Sequence, residues 1–331
     1  MRNGSSQAWS IKIVLVATIG VICWALVSTS AATTEDDGTD GTCDNPDNVT
    51  YPRQVGSLLL YHFLSVSSTQ DEAKRLIETN DIPEGVSTVV VTATEQTNGR
   101  GTSGRQWMGA RGNTFVTICI RQSDWMSTSL SMTLLPVRIG IIMAERIDEL
   151  LQSCKSTTKA TTSSSLPAMT TIKWPNDVLV DENKISGVLI EMSSNSWFLI
   201  GIGVNIKHAP MVPLSGPNHG RKATSIANYC PQIVDDEAKS VQIARQLGED
   251  MAHDLSRWLV EHRKSKPPKT DAETKRILQS WKEWVDWDVQ LVLRDAVERE
   301  TVTPVDIEPD GRLRVKGSNG TERLIVTDYF L

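Results

Sequence analysis

Residues 171–206, TIKWPNDVLVDENKISGVLIEMSSNSWFLIGIGVNI, decide the fold class. Strand-like apolar runs cover Thr171–Trp174 continuing into Val178–Val180, then Lys184–Met192, then Trp197–Ile206. The separators Asp181–Asn183 and Ser193–Ser196 are short enough for hairpin turns. Parallel strands would need a crossover of about a dozen residues or more. The segment therefore predicts consecutive antiparallel strands.

Helices and further strands surround this centre. Strands are predicted near Val86–Thr92 and Thr114–Arg121, and apolar residues at helical spacing predict a helix over Leu134–Leu151. Further helices are expected at Asp71–Thr79, Glu237–His262 and Ala272–Trp284. Short alternating strands in the tail, Val289–Val326, are typical of a small β-domain. We predict an α+β fold: a mixed, mostly antiparallel sheet backed by helices, with a small C-terminal β-barrel.

The N-terminal 50 residues differ from the rest of the chain. An apolar run from Ile13 to Val27 follows basic residues and precedes small ones. Residues 1–32 are therefore predicted to be a signal peptide or a membrane anchor, although a wrongly assigned first exon would leave the same pattern. Membrane attachment through residues 13–27 follows as a hypothesis, and the compartment stays open. The polar residues 33–50 are expected to be a disordered linker.

Composition narrows the function. A net charge of −6 over 331 residues gives no support to a nucleic-acid partner. The five cysteines show neither a CxxC pair nor zinc spacing, so we expect free thiols, and no metal site is predicted from protein ligands. The stretch 153–171 is rich in Ser and Thr and predicts a low-complexity surface insertion.

A loop rich in glycine and arginine, Gly99–Trp107 (GRGTSGRQW), follows the strand-like run Val89–Val91. Its G-x-G-x-x-G pattern suggests a dinucleotide-binding turn, which requires a helix directly after the glycines. The next element, Thr114–Ile120, is instead rich in β-formers. We therefore predict a flexible basic loop between two strands, suited to closing over an anion.

The second motif is Lys173–Asp177, where a proline interrupts a predicted strand. Proline removes a ladder hydrogen bond, so the break leaves Asn176 and Asp177 free to face a ligand; an ordinary strand-end turn is the alternative. A three-residue turn would pair Val180 with Lys184 and place Asp177 and Lys184 in one hairpin. Asp177 and Lys184 then form an anion clamp, or Lys184 is an ordinary exposed residue at the edge of its strand.

The third motif, Gly201–Asn205, places two glycines on one face of an apolar strand. Glycines weaken a strand and mark close approach by a ligand or by other backbone. Ligand binding and tight helix packing are equally good explanations here.

These motifs, in this order, resemble those of the biotin protein ligases (biotin–acetyl-CoA-carboxylase ligase type) over roughly residues 58–331. The resemblance implies a catalytic domain like that of class II aminoacyl-tRNA synthetases over 51–265, with 153–171 inserted, and an SH3-like barrel over 281–331. The matching segments are Ser68–Gln70, Glu95–Trp107, Lys173–Asp177, Lys184–Glu191 and Gly201–Asn205.

The resemblance implies ATP-dependent biotinylation. Biotin and ATP, with Mg²⁺, would give biotinyl-5′-AMP, and a lysine of a biotin carboxyl carrier domain would then take the biotin. A homodimer of this chain is a further hypothesis. Lipoate–protein ligase is the nearest enzyme alternative, but its Arg-Arg-x-x-Gly-Gly-Gly signature is not found. A non-catalytic biotin-binding protein of the secretory route is the other alternative, and residues 1–57 show no helix-turn-helix for a repressor.

The resemblance also implies roles for individual residues. Lys184, Arg100 and Asp177 would be catalytic: Lys184 bridging carboxylate and phosphate, and Asp177 orienting the acceptor lysine or helping to remove its proton. Thr69 has a second predicted role as the N-cap of a capping box that ends at Glu72. Thr102 stands where the family commonly has arginine or lysine, which puts tight retention of the adenylate in doubt. The residues expected around biotin and the adenylate are Ser68, Thr69, Gln70, Gln96, Gly99, Arg100, Gly101, Thr102, Arg105, Trp107, Lys173, Asn176, Lys184, Gly187, Gly201, Gly203 and Asn205.

Overall fold

The computed structural model describes the part of the chain that follows the N-terminal segment. The predicted signal peptide or anchor and nearly all of the predicted linker lie outside the described residues. Within the described residues, no helix is both long and apolar enough to cross a membrane. The described ranges are 49–79, 82–157, 168–212, 221–263, 270–293 and 300–325.

A mixed sheet of eight strands forms the centre of the fold. The strands up to residue 204 are β1 (Val49–Val55), β2 (Leu58–Val66), β3 (Thr88–Gln96), β4 (Gly99–Arg100), β5 (Gln106–Trp107), β6 (Thr114–Arg121), β7 (Thr170–Lys173), β8 (Asp177–Val180), β9 (Asn183–Met192) and β10 (Trp197–Val204). The sheet order is β1-β2-β3-β6-β10-β9-β8-β7, and β4 and β5 form a separate two-stranded ribbon. Among the described pairs of the large sheet β2–β3 is parallel and the others are antiparallel, which confirms a mixed, mostly antiparallel sheet.

Helices cover both faces of this sheet. They are α1 (Thr69–Thr79), α2 (Gln122–Met126), α3 (Leu134–Thr157), α4 (Glu237–Arg263) and α5 (Thr270–Glu283). On one face, apolar residues of β6 such as Ile118 join the buried side of α3, including Ile139 and Ile142. Burying each such side chain contributes about 1.5–3 kcal/mol, so this layer is the main core.

The shorter helix α1 packs on the opposite face. Its Ala73, Leu76 and Ile77 share a smaller core with Leu199 of β10. Beyond Leu199, the residues of β10 on this face are glycines rather than large apolar side chains. The face covered by α1 therefore changes from a packed core to an open glycine surface.

The turn 174–176 corrects one sequence expectation. Thr171–Trp174 and Val178–Val180 do not form one interrupted strand, because β7 and β8 pair as an antiparallel hairpin. The Trp174–Pro175 bond in the turn is cis. The alternative of a strand-end turn is confirmed, since proline is tolerated where no ladder hydrogen bond is required.

Other boundaries and one register also differ. Helix α3 continues through Thr157, and β7 begins at Thr170, so regular structure enters both ends of the predicted insertion 153–171. Lys184 pairs with Leu179 rather than with Val180, because the β8–β9 register shifts after Val178. Such an irregularity adds a residue to one strand and leaves no clear mark in the sequence.

A disulfide contradicts the prediction of free thiols. Cys154, near the end of α3, is bonded to Cys230, which lies 76 positions further along the sequence. Cys119 is a buried free thiol, as expected, while Cys23 and Cys43 lie outside the described residues. Pairing of distant cysteines depends on tertiary structure, so spacing alone did not indicate it.

The C-terminal strands form an antiparallel sheet of their own. They are β11 (Leu291–Leu293), β12 (Glu300–Ile307), β13 (Leu313–Gly317) and β14 (Glu322–Ile325). Val302, Leu313 and Val315 join the core that contains α3. The expected small C-terminal β-domain is present as a four-stranded sheet, and its closure into an SH3-like barrel stays a prediction.

Buried His62 is expected to make stability depend on pH. Its ring nitrogens lie 2.9 Å from Thr92 Oγ1 and 3.2 Å from Thr94 Oγ1. Burial, together with Arg245, lowers the pKa of His62 from 6.5 to about 4. A lowered histidine pKa favours the neutral form in the folded state, so the stabilisation is present above the unfolded pKa and is lost as the pH falls toward 4. The loss approaches about 3 kcal/mol.

Urea unfolding of the wild type and of His62→Gln checks this prediction. Glutamine keeps polar contacts with the two threonines but does not titrate. The wild type is expected to lose more free energy of unfolding than the variant between about pH 7.5 and about pH 4.5. Equal losses in the two proteins would show that His62 is not responsible.

Candidate active site

A row of paired residues crosses the glycine surface. Lys173 pairs with Asp177, Asp177 with Gly187, Gly187 with Gly203, and Gly203 with Phe115. Directly paired residues in a sheet share a face. The two charged residues of the Lys173–Asp177 motif therefore lie at the end of a row that includes Gly187 and Gly203, here called the glycine platform.

The platform glycines are needed because other groups lie on them. A Cβ at Gly203 would be 2.4 Å from Cε2 of Trp107, and one at Gly187 would be 3.1 Å from Nζ of Lys184. Contacts under 3.0 Å are essentially never seen for a real Cβ. Trp107 thus lies directly on the sheet at Gly203, and Gln70 of helix α1 lies on Gly201, so both glycines make room for protein side chains.

The Gly99–Trp107 segment forms the roof of the site. It lies between β3 and β6 as predicted, but it is a β4–β5 ribbon with a short 3₁₀ turn at Thr102–Gly104 rather than an irregular loop. Gly101 N donates to Arg105 O at 2.7 Å. The indole Nε1 of Trp107 is buried and has no hydrogen-bond partner among the described residues.

Charged groups gather beside the ribbon. Lys184 Nζ lies 2.6 Å from Asp177 Oδ1, and Lys173 Nζ lies 3.9 Å from Asp177 Oδ2. Lys184 Nζ is also 5.5 Å from the centroid of a Trp107 ring. The prediction that one hairpin brings Asp177 and Lys184 together is confirmed. The ammonium group of Lys184 faces Trp107 of the ribbon.

The pKa of Lys173 is lowered by burial and by neighbouring positive charges. Burial lowers this pKa most; Arg221, Lys184 and Arg105 lower it further, while Asp177 raises it. Like charges disfavour each other's charged forms, and a bound anion relieves that repulsion. The cluster is therefore suited to binding an anion such as a phosphate or a carboxylate.

Two predicted site residues support the backbone rather than face the groove, the space bounded by the β4–β5 ribbon, the glycine platform and Lys184. Asn205 is buried, and its Nδ2 donates to Thr224 O at 3.0 Å. Thr224 N in turn donates to Lys184 O at 2.9 Å. Asn176 Nδ2 donates to Val188 O at 3.3 Å, which fixes the turn on β9. Both amides therefore position Lys184 and the Asp177 turn.

Thr69 is placed differently from its predicted cap role. Helix α1 begins at Thr69, and the hydroxyl that accepts from the helix belongs to Ser68, 3.3 Å from Gln70 N. Thr69 donates to Gln96 Oε1 through its N–H at 2.7 Å and its hydroxyl at 3.0 Å. Thr117 Oγ1 donates to the Thr69 hydroxyl at 3.0 Å. The prediction that Thr69 is the N-cap was wrong by one residue.

Gln70 places a buried acceptor, unpaired within the described part of the chain, over the glycine platform. Its Nε2 donates to Glu191 Oε2 at 3.0 Å and to Leu199 O at 3.3 Å. Its Oε1 is buried without a hydrogen-bond partner among the described residues, and a Cβ at Gly201 would lie 2.9 Å from it. Leaving a buried acceptor unpaired costs about 1–3 kcal/mol, so this oxygen marks a position for a ligand donor.

The two arginines of the ribbon make different contacts. Arg100 Nη2 lies 2.8 Å from Asp71 Oδ1 and 3.0 Å from Glu191 Oε2, and so connects the ribbon to α1 and β9. Arg105 folds back onto the ribbon, where it donates to Thr102 O at 3.1 Å and to Thr102 Oγ1 at 2.7 Å. Arg100 is therefore held at the rim of the site by the carboxylates of Asp71 and Glu191, and not by Asp177, the carboxylate that pairs with Lys184.

Glu191 is the main site residue that the sequence reasoning did not single out. In the sequence it stands only as the last residue of the Lys184–Glu191 motif. Alternation along β9 places residue 191 on the same face as Gly187, so period-two reasoning would have identified it. Asp71 and Thr117 carried no such signal.

The fold and site define an α+β protein in which a β-ribbon covers a glycine-rich sheet face beside a cluster of basic residues. Residues 63–206 match the family model for the biotin/lipoate A/B protein ligase family. This part of the chain is therefore similar to the biotin/lipoate ligases, in agreement with the resemblance stated from the motifs.

Two curated relatives of the chain are ligases of this kind. The chain is 31% identical over 161 residues to the bifunctional ligase/repressor BirA of Bacillus subtilis, covering 47% of this chain and 42% of that protein. It is 32% identical over 125 residues to the biotin–[acetyl-CoA-carboxylase] ligase of Paracoccus denitrificans, covering 36% of this chain and 45% of that protein. The matched segments thus span less than half the length of these curated relatives.

A solved structure supports the fold. The biotin protein ligase of Aquifex aeolicus in complex with biotin and ATP superimposes with a TM-score of 0.56, covering 81% of this chain and 95% of that one. The two sequences are 20% identical, so the likeness concerns the fold.

Proposed function

We propose that this chain is an ATP-dependent biotin–protein ligase. In the first step a carboxylate oxygen of biotin attacks the α-phosphorus of ATP, the bond to the β-phosphate oxygen breaks, and pyrophosphate leaves. In the second step the amine of an acceptor lysine attacks the acyl carbon of biotinyl-5′-AMP. The acyl–oxygen bond breaks, AMP leaves, and the amine loses a proton. A biotin carboxyl carrier domain is the proposed acceptor.

The Lys184–Asp177 pair beneath the ribbon carries this proposal. The first step brings two anions together, and unit charges 4 Å apart repel by about 4 kcal/mol at an effective dielectric constant near 20. That energy corresponds to a rate factor of about a thousand. Lys184, with Lys173 beside it, supplies the preorganised positive charge that offsets the repulsion.

The amide pair above the glycine platform suits the ureido ring of biotin. Gln70 offers an acceptor, its unpartnered Oε1. Gln96 directs its Oε1 to Thr69, so its Nε2 is left as a donor on the side of Gly99. A cyclic urea has both N–H donors and a carbonyl acceptor, and is therefore complementary to this arrangement.

Mg²⁺ is proposed to arrive with ATP. Among the described residues no group of three or more His, Cys, Asp or Glu side chains could hold a metal ion. Mg²⁺ is commonly bound through one or two carboxylates and the substrate phosphates. The metal would therefore reach the site on the phosphates of its substrate rather than on a cage of protein ligands.

The full-length chain incubated with biotin, Mg·ATP and a biotin carboxyl carrier domain tests the proposal. We expect release of pyrophosphate and streptavidin-detectable carrier, and neither product without ATP. Transfer of lipoate in place of biotin would support a lipoate ligase, and biotin binding without pyrophosphate release would support a non-catalytic binder. Either result would overturn the proposal.

Thr102 is expected to weaken retention of biotinyl-5′-AMP. The threonine adds no positive charge, and it binds Arg105 within the ribbon. In Thr102→Arg the new guanidinium adds a charge-assisted contact to the adenylate, so we expect its dissociation to slow by about tenfold. The measurement is the off-rate of labelled biotinyl-5′-AMP. Gln106→Arg places the same charge at an exposed position of the ribbon, and equal off-rates in all three proteins would contradict the role of position 102.

A further inference from the structure

We infer that Glu191 is a positioning residue that sets the specificity of the groove for a ligand carrying a ring N–H. It does so by fixing the orientation of the Gln70 amide. The inference rests on the proposed function, because the ligand named in its test is biotin.

Hydrogen-bond polarity fixes the orientation of the Gln70 amide. A carboxylate only accepts, so the group of Gln70 that faces Glu191 must be the Nε2 donor. The second neighbour of Nε2, the backbone carbonyl of Leu199, also only accepts. Both neighbours therefore oppose a flip of the amide, and Oε1 stays over Gly201 as an acceptor.

The fixed Oε1 acceptor of Gln70 selects ligands that carry an N–H donor. A buried site that accepts from a substrate N–H rejects analogues that lack it, because the acceptor is left unpaired. The ureido ring of biotin has N–H groups, whereas the dithiolane ring of lipoate has none. Glu191 would thus help to distinguish the two ligand types that the family model covers.

Glu191 also connects the Gln70 amide to the β4–β5 ribbon. The same oxygen, Glu191 Oε2, also accepts from Arg100 of the ribbon at 3.0 Å. One carboxylate therefore connects strand β9, the helix α1 that carries Gln70, and the ribbon. Its two donors approach from the groove side and from the rim, so its removal should affect ligand recognition more than the core.

Glu191→Gln is the principal test variant, since it preserves size and removes the obligate acceptor. Biotin affinity is measured by isothermal titration calorimetry, together with that of two analogues methylated at one or the other ureido nitrogen. In the wild type we expect one of the two analogues to bind at least about 100-fold more weakly than biotin. In Glu191→Gln we expect biotin to bind about tenfold more weakly and the discrimination to fall by a similar factor.

A swapped pair separates positioning from a structural role. In Gln70→Glu combined with Glu191→Gln, the carboxylate at position 70 accepts from the amide at 191 and still offers an oxygen to the groove. We expect this double variant to recover biotin affinity to within about threefold of the wild type. Glu72→Gln is the matched control, because Glu72 pairs with Arg75 on the exposed side of α1.

The outcomes are distinct. A wild type that does not bind biotin overturns the proposed function. A wild type that binds biotin, with Glu191→Gln equal to it in affinity and discrimination, overturns the role of Glu191 alone. If Glu191→Gln does not fold, Gln70→Met provides the second route: the loss of the acceptor should abolish discrimination between biotin and the analogue, and retained discrimination contradicts the inference.

Discussion

Replacing Lys184 with methionine is expected to reduce the rate of pyrophosphate release from biotin and ATP by about a thousandfold. Methionine keeps an unbranched apolar side chain and removes the charge. The ammonium lies 2.6 Å from Asp177, itself only 8% exposed, and faces the ribbon through Trp107. Its removal takes away the cation that faces the ribbon and leaves the Asp177 carboxylate without its 2.6 Å partner, so that the carboxylate repels the two anions.

The control for this variant is Lys222→Met. Lys222 is the neighbouring exposed lysine, and its backbone carbonyl accepts from Lys184 N at 2.8 Å. The control makes the same change of side chain and leaves that backbone contact in place. Steady-state pyrophosphate release and biotin affinity are measured for all three proteins. More than about a tenth of wild-type turnover in Lys184→Met would show that the lysine does not offset the charge repulsion.

Short-range features of the site were predictable from the sequence. The Asp177–Lys184 contact followed from a hairpin-sized separator, although its register is shifted by one residue. The glycines of β10 were singled out because glycine is unfavourable in a strand unless something lies close to it. The Gly99–Trp107 ribbon was placed correctly between strands because a β-rich segment follows it. In each case the evidence lies within about ten residues of the feature.

Contacts between distant elements were not predictable. Gln70 and Glu191 are 121 positions apart, and Arg100 and Glu191 are 91 apart. The Cys154–Cys230 bond likewise depends on where α3 ends relative to the segment after Thr224. Such pairings are set by the order of strands in the sheet and the docking of helices on it. A single sequence fixes neither, so the polar side of the pocket emerged only from the structure.

The sequence also did not indicate that two asparagines of the motifs bind the backbone. Asn176 and Asn205 were expected at the ligand because they stand in ligand-facing motifs, yet both amides bind backbone carbonyls. A short amide next to a turn or at a strand end competes well for local backbone groups. The motif therefore marks residues that build the site as well as residues that face its ligand.

Gly203→Ala is expected to lower kcat/KM for ATP by about 100-fold, because displacements on the order of 1 Å in a catalytic site can have that effect. The added Cβ would lie 2.4 Å from Cε2 and 2.5 Å from Nε1 of Trp107. The indole is a rigid plane at the end of the ribbon, so it must move off the sheet and take the roof with it. Since the substituted residue also pairs with Phe115 and Gly187, the strand itself holds the new methyl in place.

Gly140→Ala distinguishes this effect from a general intolerance of larger side chains. Gly140 lies in α3, where a Cβ would meet Ile172 at an ordinary 3.5 Å. Alanine in a helix is more stable than glycine by roughly 0.5–1 kcal/mol, so this control should keep its activity and unfold at a higher urea concentration. Trp107→Ala should in turn lose activity, and adding Gly203→Ala to it should cost little more, because the clashing ring is gone. Full additivity of the two losses would mean that Gly203 acts on the ligand directly and not through the position of Trp107.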